Sequence, residues 1–173
     1  MSASSTKFSN ETKTLRTMMQ EPRITVAYPP TIVVRHPKER VEKCTVWPLR
    51  HRADVIFVTW PVRRSLDLAH YVRLDTEGPP LTEADASYGL LLLDGSWRWA
   101  QRMVRDFAHV PPRSLRGYHT AYPRVSKWFP DPANGLASVE ALYVACKILG
   151  RPTEGLLDHY YWRETFLRLN GWA

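Results

Sequence analysis

Residues 88–97 read Tyr88-Gly-Leu-Leu-Leu-Leu-Asp-Gly-Ser-Trp97. Four consecutive leucines leave no polar face, so the segment suits a central strand covered on both sides. That is the pattern of a parallel sheet with helices on each face. Upstream, the β-branched runs 31–36 (Thr-Ile-Val-Val-Arg-His) and 54–60 (Asp-Val-Ile-Phe-Val-Thr-Trp, closed by Pro61) read as two more strands, and 116–122 is a fourth strand candidate. Downstream, Trp97, Ala100, Val104 and Phe107 recur at helical spacing and predict a helix with that face inward. Ser138 is placed to cap a helix over 139–149, with Gly150 and Pro152 as stop signals. Thr153 is placed to cap a last helix carrying Leu156, Leu157, Tyr160, Phe166 and Leu169. Strands alternating with helices give an α/β domain with a mostly parallel sheet.

The 173 residues, 44% hydrophobic and 12% aromatic, fit one ordinary domain. Residues 1–30 read as a polar N-terminal tail and 31–173 as the single domain. No apolar run approaches the roughly 20 residues of a membrane-spanning helix, and the polar start lacks the apolar centre of a secretory signal. Cys44 and Cys146 stand alone and far apart, which suits a reducing cytoplasm better than a disulfide framework or a zinc site. The net charge is +7, and it is concentrated. Residues 91–130 hold seven Lys/Arg against two Asp/Glu, and 1–50 hold nine against four. Two basic segments separated by near-neutral ones predict a basic stripe suited to a polyanion.

Ligands of open α/β sheets sit beyond the carboxyl ends of the strands. There the 88–97 segment offers Asp94 as an acceptor, Ser96 as a cap or donor, and Trp97 as an apolar wall. A purely structural role, Asp94 or Ser96 capping the helix and Trp97 filling the core, is the alternative. Arg98, Arg102 and Arg105 fall on one stripe of the following helix, where a phosphate backbone would relieve their mutual repulsion. The segment 136–142 (Leu-Ala-Ser-Val-Glu-Ala-Leu) opens a helix whose free N–H groups suit a carboxylate. Glu140 in its first turn complements the helix dipole.

Three short motifs occur in order: His36-Pro-Lys-Glu39, Leu93-Asp-Gly-Ser-Trp97 followed by Ala100 and Arg102, and Leu136-Ala-Ser-Val-Glu-Ala141. They resemble, respectively, the H-P-x-E, D-x-[ST]-W and L-S-T-x-E-A elements of the DTW-domain tRNA-uridine aminocarboxypropyltransferases. Lys43-Cys-Thr45 and the ending through Ile148-Leu-Gly150, Tyr161-Trp162 and Phe166-Leu-Arg-Leu-Asn170 are similar to the sister family that modifies small-subunit ribosomal RNA. The likeness spans about residues 31–170. Ala137 stands where that pattern has a Ser, and Ser96 where it has a Thr.

The resemblance implies a SPOUT-like α/β fold with a C-terminal trefoil knot around S-adenosylmethionine. It implies transfer of a 3-amino-3-carboxypropyl group to a uridine of RNA, tRNA ahead of rRNA, by a cytoplasmic enzyme expected to be a monomer. Asp94 would orient or deprotonate the base. Trp97 and Ala100 would wall off the methyl group, and Thr45 and Ser138 would hold the cofactor carboxylate, with Ser96 and Glu140 beside them. Arg98, Arg102 and Arg105 would bind RNA. No metal is called for. A SPOUT-type RNA methyltransferase and a non-catalytic RNA-binding module are the competing readings.

Overall fold

The computed structural model describes residues 28–123, 132–133 and 135–173; most of the expected N-terminal tail lies outside them. Five strands form one sheet: β1 (Thr31–Arg35), β2 (Val55–Thr59), β3 (Tyr71–Pro80), β4 (Gly89–Asp94) and β5 (Pro112–Ser114). Their order is β2-β1-β4-β3-β5, and every neighbouring pair is parallel. The leucine run is the central strand, as its composition requires. Leu90 and Leu92 join Val33, Val55 and Val72 on one face; Leu91 joins Ile32, Val34 and Val58 on the other. Helix α1 (Trp97–Asp106) covers the second face with Met103, followed by Phe107. Helix α2 (Ser138–Ile148) covers the first face with Val139, Leu142 and Ala145, and α3 (Arg163–Leu169) adds Phe166. None of the described helices is long and apolar enough to cross a membrane.

Several local expectations need correction. Residues 116–122 are turn and coil; the strands that complete the sheet are β3 and β5. The buried side of α1 turns on Met103 and Phe107; Phe107 is buried as expected, while Trp97, Ala100 and Val104 are only half-buried. Helix α2 is capped at Ala137, one residue earlier than expected, because Glu140 reaches back to the Ala137 N–H at 2.8 Å. That contact is the return half of a capping box; alanine has no oxygen for the other half. The last helix starts at Arg163, since Gly155 at φ +76° sits in the left-handed region and the chain runs in turns before it. Leu156, Leu157, Tyr160 and Phe166 are nonetheless buried as expected, whereas Leu169 is exposed.

Candidate functional site

The register of the central strands fixes the site. Thr59 of β2 pairs with Arg35 of β1, and Arg35 pairs with Asp94 of β4, so these residues share one level at the carboxyl edge of the sheet. The ladder extends one residue further: the His36 N–H donates to the Asp94 carbonyl at 2.9 Å. After Asp94 the chain must turn sharply into α1. Gly95 permits this, because a Cβ there would lie only 3.2 Å from the His36 Cβ.

Asp94 is 3% exposed, and three elements converge on its carboxylate. Ser138 Oγ, from the first turn of α2, donates to Oδ1 at 2.6 Å, and Cys44 Sγ donates to Oδ2 at 2.9 Å. The Arg35 Nε stands 4.0 Å from Oδ2. Burial and the neighbouring Asp94 carboxylate push the Cys44 thiol up to about 12, so it stays protonated and acts as a donor. Thr45 extends the clamp by accepting the Val139 N–H at its hydroxyl, 3.1 Å away. The loop after β1 is thereby locked to the start of α2 across the end of β4.

A second carboxylate lies beside the first. Glu39 Oε2 accepts the Ser96 N–H at 3.0 Å, at the mouth of α1, and Glu39 is only partly buried. Burial raises its pKa, the Asp94 charge adds to the rise, and the Ser96 hydrogen bond, Arg35 and Lys43 oppose it. Burial raises the Tyr122 phenol as well, with a contribution from Glu39 that places the ring in the same field. Glu39 belongs to the quoted His36-Pro-Lys-Glu39 motif, yet no role could be read for it. Its nearness to Asp94 is a product of the β1–β4 pairing.

Trp97 lies against Gly135, where a Cβ would come within 2.4 Å of the indole Cζ2. Only glycine lets the chain before α2 approach the ring so closely. Ala100 is half-buried one helical turn along from Ser96 and Trp97. Asp94, Ser96, Trp97, Ala100, Thr45 and Ser138 are thus gathered at one edge. Glu140 is placed differently from a cofactor contact. It is 0% exposed, and its carboxylate accepts from Thr120 Oγ1 (2.6 Å) and from Ala121 N, Ala137 N and Tyr160 OH (2.8 Å each). Burial and Glu140 push the Tyr160 phenol upward, so it remains a donor. Glu140 therefore ties the coil at 120–121, the start of α2 and the C-terminal turns together.

Arg98, Arg102 and Arg105 are all exposed on α1, as their spacing requires. Arg98 and Arg102 close on the Trp99 ring at 5.5 and 4.7 Å, and Lys38 joins them at 5.2 Å. Trp99 stacks on His36 at 4.2 Å, and His36 stacks in turn against Trp60 at 5.2 Å. Burial holds His36 below the ordinary imidazole range, with Lys38 and Arg102 adding to the effect, so the ring is neutral. Its Nδ1 accepts the Lys38 N–H at 3.1 Å, which leaves the proton on Nε2.

No protein-family model matches the chain, and no curated protein matches it in sequence. Among solved structures, one described as the SAM-dependent rRNA:acp-transferase Tsr3 from Vulcanisaeta distributa is similar to it, with a TM-score of 0.62 and 24% identity. The match covers 82% of this chain and 79% of that one, and it establishes that the two share a fold.

Proposed function

We propose that the chain transfers the 3-amino-3-carboxypropyl group of S-adenosylmethionine to a uridine-type base in RNA. The observation that carries this reading is the pairing of a clamped, buried Asp94 with a more accessible Glu39 beside an indole wall, all at the carboxyl edge of the sheet. The ordered motifs and the fold shared with Tsr3 support it. The trefoil knot expected with this fold belongs to the same reading; residues 124–131, between β5 and α2, lie outside the described ones.

The residues present suit such a cofactor. Arg35 Nε is buried with no hydrogen-bond partner, and the Thr45 and Ser138 N–H groups have no acceptor among the described residues. Donors of this kind suit the carboxylate of such a cofactor. Trp97 and Ala100 would supply the apolar wall. When bound, the cofactor supplies an electrophilic γ-carbon and methylthioadenosine as leaving group. This chain then has to orient the base and take its N–H proton. Asp94, enclosed by Ser138 and Cys44, serves to orient; Glu39 is the group with room to accept the proton. A uridine imide is weakly acidic, so a positioned carboxylate contributes on the order of a hundredfold or more. Glu140 tethers the site from behind.

The deciding experiment uses cofactor labelled separately in its methyl and carboxyl groups, incubated with total RNA. Carboxyl label alone should reach the RNA. Methyl label in RNA would overturn the reading in favour of a SPOUT-type methyltransferase, and no label at all would favour a binding module. Ribosomal RNA moves ahead of transfer RNA as the target, because the solved structure sharing the fold is an rRNA enzyme by its description. Lys43-Cys-Thr45 and the C-terminal residues point the same way.

Trp97→Ala should lower affinity for S-adenosylmethionine by at least tenfold, about 1.4 kcal/mol, since it removes the wall and its contact area. Calorimetric titration checks this, and unchanged affinity in folded protein would reduce Trp97 to a packing residue.

A further inference from the structure

Beyond the end of β2 the surface holds an open cleft of about 550 Å³ whose lining includes Trp60, Pro61, Val62, Arg63 and Arg64. Trp60 is held rigidly there. His36 stacks on it at 5.2 Å with the rings 27° apart, and its indole N–H donates to Asp106 Oδ2 at 2.8 Å. Trp99 continues the stack on the other side of His36, so Trp60 is one end plate of three. Arg63 and Arg64 are exposed and have no side-chain partner among the described residues. Thr59, the residue before Trp60, sits two strands from Asp94 at the same level of the sheet. Two strand spacings amount to about 10 Å, within reach of a nucleotide adjoining the one at the site.

An aromatic plate fixed by its neighbours, with two unpaired guanidiniums alongside, matches the chemistry of single-stranded nucleic acid. The ring stacks a base, and the cations take the phosphate. A duplex cannot use such a plate, because its bases already stack on each other. We propose that this cleft holds an unpaired nucleotide flanking the target, its base on Trp60 and its phosphate on Arg63 and Arg64. The proposal rests on the RNA reading above and narrows it to a single-stranded segment such as a loop. It also adds a second cationic point to the Lys38, Arg98 and Arg102 cluster at the far end of the aromatic stack.

The test measures binding of the full chain to a labelled mixed-sequence single-stranded oligoribonucleotide and to the same strand in a duplex, by fluorescence anisotropy over a salt series. Trp60→Ala should weaken single-strand binding about tenfold and leave duplex binding unchanged, and Trp60→Phe should restore most of the loss. Arg63→Gln with Arg64→Gln touches only exposed side chains, so folding is secure. It should reduce the salt slope by about 0.7, the contribution of one single-strand phosphate contact. If Trp60→Ala fails to fold, Trp60→Leu and the arginine pair decide. Either a folded Trp60→Ala or Trp60→Leu variant binding single strands with the parent's affinity, or the arginine pair keeping the parent's affinity and salt slope, overturns the proposal. A parent that binds RNA normally while the variants do not differ sinks this site alone. A parent that binds neither probe sinks the RNA reading with it.

Discussion

Glu39→Gln is expected to cut turnover by about a hundredfold or more while S-adenosylmethionine affinity stays within a few-fold. Glutamine keeps the side-chain oxygen that accepts the Ser96 N–H, so the mouth of α1 should hold its shape. What disappears is the capacity to receive a proton. The pH dependence separates this from a structural effect. Because burial and Asp94 raise the Glu39 pKa, the acidic limb of the parent's kcat/KM profile should lie above the ordinary glutamate range. The Gln variant should lose that limb. Stability should move the opposite way. A carboxyl whose pKa is raised on folding binds more protons in the native state, so stability falls as pH rises from the unfolded to the folded pKa. Removing the charge should leave the variant at least as stable as the parent at neutral pH. Turnover within threefold of the parent, or an unmoved acidic limb, would remove Glu39 from the chemistry and return the proton to Asp94.

Glu140→Ala should be the most damaging substitution for the fold. It strands four donors: the Thr120 and Tyr160 hydroxyls and the Ala121 and Ala137 N–H groups. A buried donor left without an acceptor costs about 1–3 kcal/mol; the Tyr160 hydroxyl bears that in full and the three half-buried donors in part, together a sizeable share of the roughly 5–15 kcal/mol available to a domain. Tm should fall by at least about 10 °C, at roughly 2–4 °C per kcal/mol for this size, or folded protein should fail to accumulate. Thermal unfolding followed by circular dichroism checks it. Glu140→Gln, which keeps one acceptor oxygen, should fall between the two. A Glu140→Ala protein that melts within about 3 °C of the parent would mean the carboxylate is not a tether.

The sheet was legible in the sequence where strands are uniformly apolar and illegible where buried residues are polar. β4 announced itself through four leucines, and β1 and β2 through β-branched runs. β3 did not, because it carries Arg73, which is 5% exposed. That guanidinium tolerates burial by pairing with Asp75 at 3.0 Å and donating to the Phe107 and Val110 carbonyls at 2.5 and 3.2 Å. β5 is three residues long and begins with proline, tolerated because it lies at the sheet edge. Asp94, Ser96 and Trp97 could be singled out because strand, glycine turn and helix follow one another along the chain. Cys44, Arg35 and Glu39 could not be tied to Asp94 by spacing. Ser138 illustrates the limit: its position at a helix start was readable, but its hydroxyl turns to Asp94 instead of capping the helix.

The all-parallel order also has a kinetic consequence. No neighbouring pair of strands can zip from a hairpin, so each ladder must wait for a long crossover to close. The Asp94 clamp joins partners 50 and 44 residues away. During synthesis, a chain that has released β4 can bring Cys44 to Asp94, but Ser138 is still to come. Glu140 and its partner Tyr160 emerge later again. The site should therefore be absent from nascent and truncated chains and appear only with global folding. Cofactor capture by an emerging chain would thus report completion of the whole domain.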